Sequence, residues 1–235
     1  MAEAPYRFLR EEEAAETLAS AVHESLRRDI VTAIFHPGQK LLLRDLCDRY
    51  GMGLAPVREA LNRLVSDELV VQTDQRGFRV APVSLAQLED LVTTRCRIEA
   101  ICLAESIALG DAGWEEEVAL AFRRLAGLRR GGSARTPLLD PGWERAHKAF
   151  HAALLSASPS LILRNLCGQL FLAADRYRHL ARLTNDAPDR PVQDEHRAIR
   201  DAALARDAAA AISLLDAHYR RTAGAVRQAL PDAGS

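Results

Sequence analysis

The sequence has almost no net charge: 31 Lys and Arg against 32 Asp and Glu leave −1 over 235 residues. No overall excess of positive charge points to a polyanionic partner, so any contact with nucleic acid has to come from local placement. Cysteine is scarce. Cys47, Cys96, Cys102 and Cys167 are scattered with no C-x-x-C pair, which argues against a Cys-based zinc site and for free thiols in a reducing compartment. No apolar run reaches the roughly 18 residues that a membrane span requires. The opening stretch "MAEAPYRFLREEEAAETLAS" lacks the basic and apolar regions of a signal peptide, so a cytoplasmic protein is expected. Also missing are H-E-x-x-H, a nucleophile elbow and a Gly-rich phosphate loop, the usual sequence signs of hydrolytic or nucleotide chemistry.

What is present is a globular composition, 48% apolar and 27% charged, in a chain long enough for two modest domains. Residues 14 to 35 carry apolar positions at helical spacing (Leu18, Val22, Leu26, Ile30, Ile34), ended by "HPG" at 36 to 38. "LRDLCDRYG" reads as a short helix closed by Gly51, and "PVREALNRLVSDE" as another that opens at Pro56. "LVVQTDQRGFRVAPV" then sets two β-branched runs around a polar turn, predicting a hairpin with Gly77 at its tip. From Ser84, a predicted N-cap, strand signals cease and about six helical patterns follow. The expected fold is mostly α: a winged helix-turn-helix domain over 14–82 and an all-helical bundle over 84–230.

Two helices joined by a tight turn and followed by a two-stranded wing can place the second helix in the major groove of DNA. Residues 40 to 80 hold seven basic and six acidic side chains, so placement matters more than net charge. Arg44 falls at a helix start, Arg58 on the second helix and Arg76 at the wing tip. Arg58 can offer a bidentate pair to guanine; as a lone helix arginine it is equally well a solvated surface residue.

The segment from "LLLRDLCDRYG" through "PVREALNRL" to "RGFRV" resembles the DNA-binding domain of GntR-family bacterial transcription regulators. The resemblance implies that Arg44, Arg58 and the wing at Arg76 and Gly77 touch operator DNA, with Ala55 and Pro56 at the start of the reading helix. Members commonly carry a Ser/Thr-Arg pair in the turn, where this chain has Gly53-Leu54.

Histidine supplies the second constellation. His23 and His36 read as structural or solvated, and His179, among arginines, as exposed. His147 and His151 lie four apart in "WERAHKAFHAAL", hence on one helix face, while His196 and His218 lie on two further helices. An i, i+4 imidazole pair can bite one metal ion, and bundle interiors are where such sites are built. A lone helix histidine is more often a satisfied polar residue. Arg95 in "TRCRIEA" can hold a carboxylate or pair with Glu99 on a solvated face; Arg176 and Arg178 are weaker candidates.

"HKAFHAALLSAS", "DEHRAI" and "DAHYRR" are similar to the metal-site segments of the FCD ligand-sensing domain of FadR-like GntR regulators. That resemblance implies a divalent metal, zinc or alternatively nickel, on His147, His151, His196 and His218, with His147 standing where Asp is usual. It further implies a small carboxylate effector held by Arg95. The expected protein is a homodimeric regulator, a repressor by preference, whose binding to double-stranded operator DNA responds to that acid. Two alternatives remain: a zinc-dependent hydrolase using the same histidines with Glu195 as base, and a purely structural metal.

Overall fold

The computed structural model describes residues 18–73, 77–128, 140–183 and 191–229. The chain divides into two compact units, one ending at Pro82 and the other beginning at Val83.

The first unit runs α1 (Leu18–Val31), β1 (Lys40–Leu41), α2 (Leu43–Tyr50), α3 (Leu54–Ser66), β2 (Val70–Thr73) and β3 (Gly77–Val80). The apolar stripe of α1 buries Val22, Leu26 and Ile30 against Val57, Leu61 and Leu64 of α3, the arrangement that 3.6-residue periodicity dictates. Ile34, expected to extend that stripe, is exposed. The helix stops at Val31, well before "HPG", because Ala33 turns to a left-handed φ of 59° and the Phe35 N–H reaches back to the Asp29 carbonyl. Gly51 closes α2 at φ 64°, with its N–H on the Cys47 carbonyl, a conformation that costs a glycine little.

The hairpin pairs β2 and β3 antiparallel from Val70–Val80 to Thr73–Gly77. Gly77, at φ 83°, opens β3. Residues 74–76 of the turn, Arg76 among them, lie outside the described residues. A third strand, β1, joins the other edge of β3 through Lys40–Arg79 and Leu41–Phe78. Two residues are too few to show an alternating pattern, so β1 leaves no periodic signal of its own.

The second unit contains, among the described residues, six helices: α4 (Leu85–Leu109), α5 (Ala112–Ala126), α6 (Pro141–Leu155), α7 (Leu161–Leu183), α8 (Val192–Leu204) and α9 (Ala208–Ala229). Their starts follow capping chemistry. Ser84, Asp111 and Asp140 each accept a hydrogen bond from the backbone N–H three residues on, and Pro141 occupies the first turn of α6. Helix α4 packs on α7 and α9, α8 on α9, and α6 on α5. The core between them includes Leu103, Trp114, Val118, Phe122, Phe150, Leu154, Ile199, Leu215 and Val226. The "RGGSARTPLLDPG" stretch, expected to be a loop, falls largely outside the described residues. No helix among the described residues is long and apolar enough to cross a membrane, and the four cysteines are free.

Candidate metal centre and nucleic-acid interface

Helix α6 turns Trp143, His147, Phe150, His151 and Leu154 to the interior, so both histidines sit on the buried face that their spacing predicts. Helix α8 brings His196 and α9 brings His218 to the same point. All four imidazoles are buried, and one ring nitrogen from each falls within 4.8 Å of the others. Trp143 stacks on His147 at 4.6 Å. Burial foremost, and the Arg178 charge next, hold the His147 pKa well below its ordinary value. Burial foremost, and the neighbouring imidazoles and arginines after it, do the same for His151. These rings are therefore neutral, the state in which imidazole ligates a metal.

Outer contacts fix two of the rings. His218 Nδ1 lies 2.8 Å from Glu195 Oε2, so its N–H points outward and Nε2 carries the lone pair. His151 Nδ1 lies 3.1 Å from the Tyr219 hydroxyl, which itself donates to Glu99 Oε2 at 2.5 Å. Burial pushes the Tyr219 pKa well above its ordinary value, so that hydroxyl keeps its proton for Glu99 and accepts from His151. Carboxylates one step behind ligating histidines are the usual way such rings are oriented. Glu195 is thus spent on His218 and, at 3.5 Å, on Arg221, which leaves the hydrolase alternative without its base.

Arg95 makes the expected i, i+4 pair with Glu99, at 2.5 Å, but inside the bundle and not on a solvated face: the two side chains are only 6% and 2% exposed. Its guanidinium sits 3.9 Å over the Tyr219 ring. Burial opposes the charge, but Tyr219 and Glu99 together raise the Arg95 pKa above its ordinary value. One donor, Nη2, is buried with no hydrogen-bond partner, a cost that an incoming acceptor would remove. Arg95 lines a cavity of ≈ 30 Å³ with Trp143, His147, Arg178, His218 and Tyr219. Arg176 is buried but is not part of that wall. His179, expected at the surface, is 3% exposed and pairs with Glu144 at 2.6 Å. The "DRYRHLARL" arginines suggested a wet face, but α7 turns Arg176, Arg178 and His179 inward.

In the first unit, α3 buries Val57, Ala60, Leu61 and Leu64 and leaves Ala55, Arg58, Asn62 and Arg63 exposed, with Pro56 half-buried. Arg63 is tied to Ser20 on α1, and Arg49 to Asp29. Arg58 opens into a groove of ≈ 420 Å³ with Lys40, Asn62, Gln72, Gly77 and Phe78. Arg44 is exposed on α2. Lys40 and Asn62 were not singled out in the sequence. Asn62 is one turn beyond Arg58 on the same helix face, a signal available from spacing alone; Lys40 reaches the groove only through β1. At the turn, Gly53 offers no side-chain cap and Leu54 is 56% exposed.

A winged helix-turn-helix unit followed by a helical unit with a buried polar cluster is the build of a DNA-binding regulator. Comparison with known proteins says which kind. "Bacterial regulatory proteins, gntR family" matches residues 18–80 and "FCD domain" residues 90–221, so the chain belongs to the GntR family of transcription regulators, in the group that carries an FCD domain. It is 40% identical to the HTH-type transcriptional regulator BphR of Paraburkholderia xenovorans, over 90% of this chain and 86% of that one. It is 35% identical to the HTH-type transcriptional repressor GlaR of Escherichia coli, over 87% and 94%. Among solved structures, E. coli McbR/YncC superposes with a TM-score of 0.72 at 21% identity, covering 90% of this chain and 98% of that one. The family and these relatives are regulators, which sets aside the hydrolase alternative.

Proposed function

We propose that this regulator is a repressor acting in the cytoplasm as a homodimer, and that its grip on operator DNA is set by a small carboxylate bound beside a divalent metal. The observation that carries this is the convergence of His147, His151, His196 and His218, buried and within 4.8 Å, from three helices. Four converging imidazoles, His147 and His151 held neutral by burial and His218 and His151 turned outward to Glu195 and Tyr219, suit zinc, with nickel as the alternative, and not a hard cation that prefers oxygen. The metal supplies a Lewis-acidic centre; the protein residues position what binds next to it. Arg95, with an unpartnered Nη2 in the same cavity, is the group we assign to the carboxylate. Repression by homologues named as such, GlaR among them, supports the direction of control.

On the DNA side we assign base contact to Arg58 and backbone contact to Arg44 and to the wing at Arg76 and Gly77, with Ala55 and Pro56 at the start of the reading helix. A dimer reads half-sites about 34 Å apart, so a modest change in the spacing of its two wings suffices to break simultaneous contact.

The test is an operator titration with and without zinc, against a panel of mono- and dicarboxylates. One acid that weakens binding only in the zinc-loaded protein supports the proposal; indifference to every acid and to zinc removes it. Arg58→Ala should weaken operator binding roughly 5- to 150-fold, the worth of one bidentate base contact. Arg123→Ala, at an exposed α5 position, should leave it unchanged, and equal effects would take Arg58 out of the interface.

A further inference from the structure

The hydrogen bonds around the cluster do not treat the four histidines alike. A guanidinium only donates, so Arg178 Nη1, 2.7 Å from His147 Nδ1, occupies that nitrogen's lone pair. The neutral ring then carries its one proton on Nε2, which faces His151 Nε2 at 3.1 Å. His151 accepts there because its own proton is on Nδ1, toward Tyr219. His151 and His218 therefore present lone pairs to the centre, while His147 presents a proton. An N–H nitrogen has nothing to give a metal.

We infer that Arg178 is a displaceable lock on His147: ligation of a metal through His147 Nε2 expels the guanidinium from Nδ1, and the freed guanidinium becomes a second partner for the effector carboxylate. This rests on the metal site and acid proposed above. The proton balance closes within one ring, since the proton leaves Nε2 and reappears on Nδ1, and no charge enters or leaves. Arg178 then faces a donor where it had an acceptor. Asp175, one turn back, still holds its other edge, so the group pivots and stays on α7.

The cavity supports the same conclusion. Arg178 and Arg95 both line it, and both guanidiniums lie over Phe171, at 5.2 and 5.0 Å. Its ≈ 30 Å³ holds about one or two waters, so an acid enters only when a wall side chain moves. Arg178 is the wall group whose hydrogen bond a metal on His147 would break. Metal and acid would then favour each other through this arginine, reciprocally. The device depends on histidine at 147, because a carboxylate there could take the metal on one oxygen and Arg178 on the other. With Asp, the arginine would assist the metal.

That sign reversal is the test. Zinc affinity is measured by competition with a chromophoric chelator for the wild type, Arg178→Leu, His147→Asp and the double variant. Arg178→Leu should bind zinc about tenfold tighter than the wild type, within the range that outer partners of a ligand command, and in the His147→Asp background the same change should weaken zinc. Arg178→Leu weakening zinc in the wild-type background overturns the lock while leaving the metal site standing; a wild type that binds no zinc overturns both. Long-range ¹H–¹⁵N spectra of the unaltered metal-free protein should place the His147 proton on Nε2, moving to Nδ1 with zinc; a proton on Nδ1 before zinc also overturns it. Acetate should bind the zinc-loaded wild type at least about fivefold more tightly than zinc-loaded Arg178→Leu, a coupling of ordinary size, and equal affinities, or no acetate binding, remove the carboxylate role.

Discussion

His151→Ala should lower zinc affinity by about two orders of magnitude while operator binding by the zinc-free protein survives. Structural zinc sites gain about 10–16 kcal/mol from four ligands, hence about 3 kcal/mol for each, or roughly 150-fold. His151 meets all three other rings: its centroid is 5.3 Å from His196 and 5.5 Å from His218, and its Nε2 meets His147. Removing it also strands Tyr219, whose hydroxyl links the cluster to Glu99 and, through that carboxylate, to Arg95. Loss of zinc should therefore come with loss of any acid response. The DNA-reading unit has its own core of Leu26, Ile30, Leu61 and Leu64, which the substitution does not touch. Metal per chain after dialysis, read by elemental analysis, and operator anisotropy are the two measurements. His36→Ala, at an exposed position, serves as the control. Unchanged metal content in His151→Ala would take His151 out of the ligand set.

Sequence periodicity located the helices of both units because amphipathic spacing and caps are local: Ser84 announces α4 before any packing is known. It brought His147 and His151 to one face for the same reason. What it missed depends on tertiary placement. β1 is two residues long and exists only because β3 offers it an edge. Ile34 continues the apolar rhythm of α1 past the point where Ala33 turns left-handed. His179 has arginines around it in sequence, yet α7 turns that whole stretch inward onto Glu144 and the histidine cluster. The Glu99–Tyr219 bond joins residues 120 apart, and the protonation pattern of the four rings follows from such contacts alone. Which histidines converge was legible; their tautomers were not.

Acid should destabilise the metal-free protein well above the pH at which its carboxylates titrate. Burial foremost keeps His147 and His151 neutral in the folded chain, with pKa values well below the ordinary 6.5, whereas in the unfolded chain they titrate near about 6.5. Below that pH the unfolded state takes up protons that the native state refuses, so the stability is fully present above it and declines as the pH falls, until the folded values are reached. Each ring contributes a slope of up to about 1.4 kcal/mol per pH unit, which by pH 5 amounts to up to about 2 kcal/mol each, or about 4 for the pair. Against a total of about 5–15 kcal/mol for a typical domain, that is enough to leave the bundle marginal. Urea midpoints at pH 7 and pH 5, with m checked for constancy, measure it. His147→Phe should keep the stacking on Trp143 while removing one titrating group, and so lose about 2 kcal/mol less than the wild type over the same interval. A wild-type midpoint that does not move between these pH values would mean that the folded cluster accepts protons as readily as the open chain does. Two imidazoles that admit protons so freely would not be held dry and neutral for a metal.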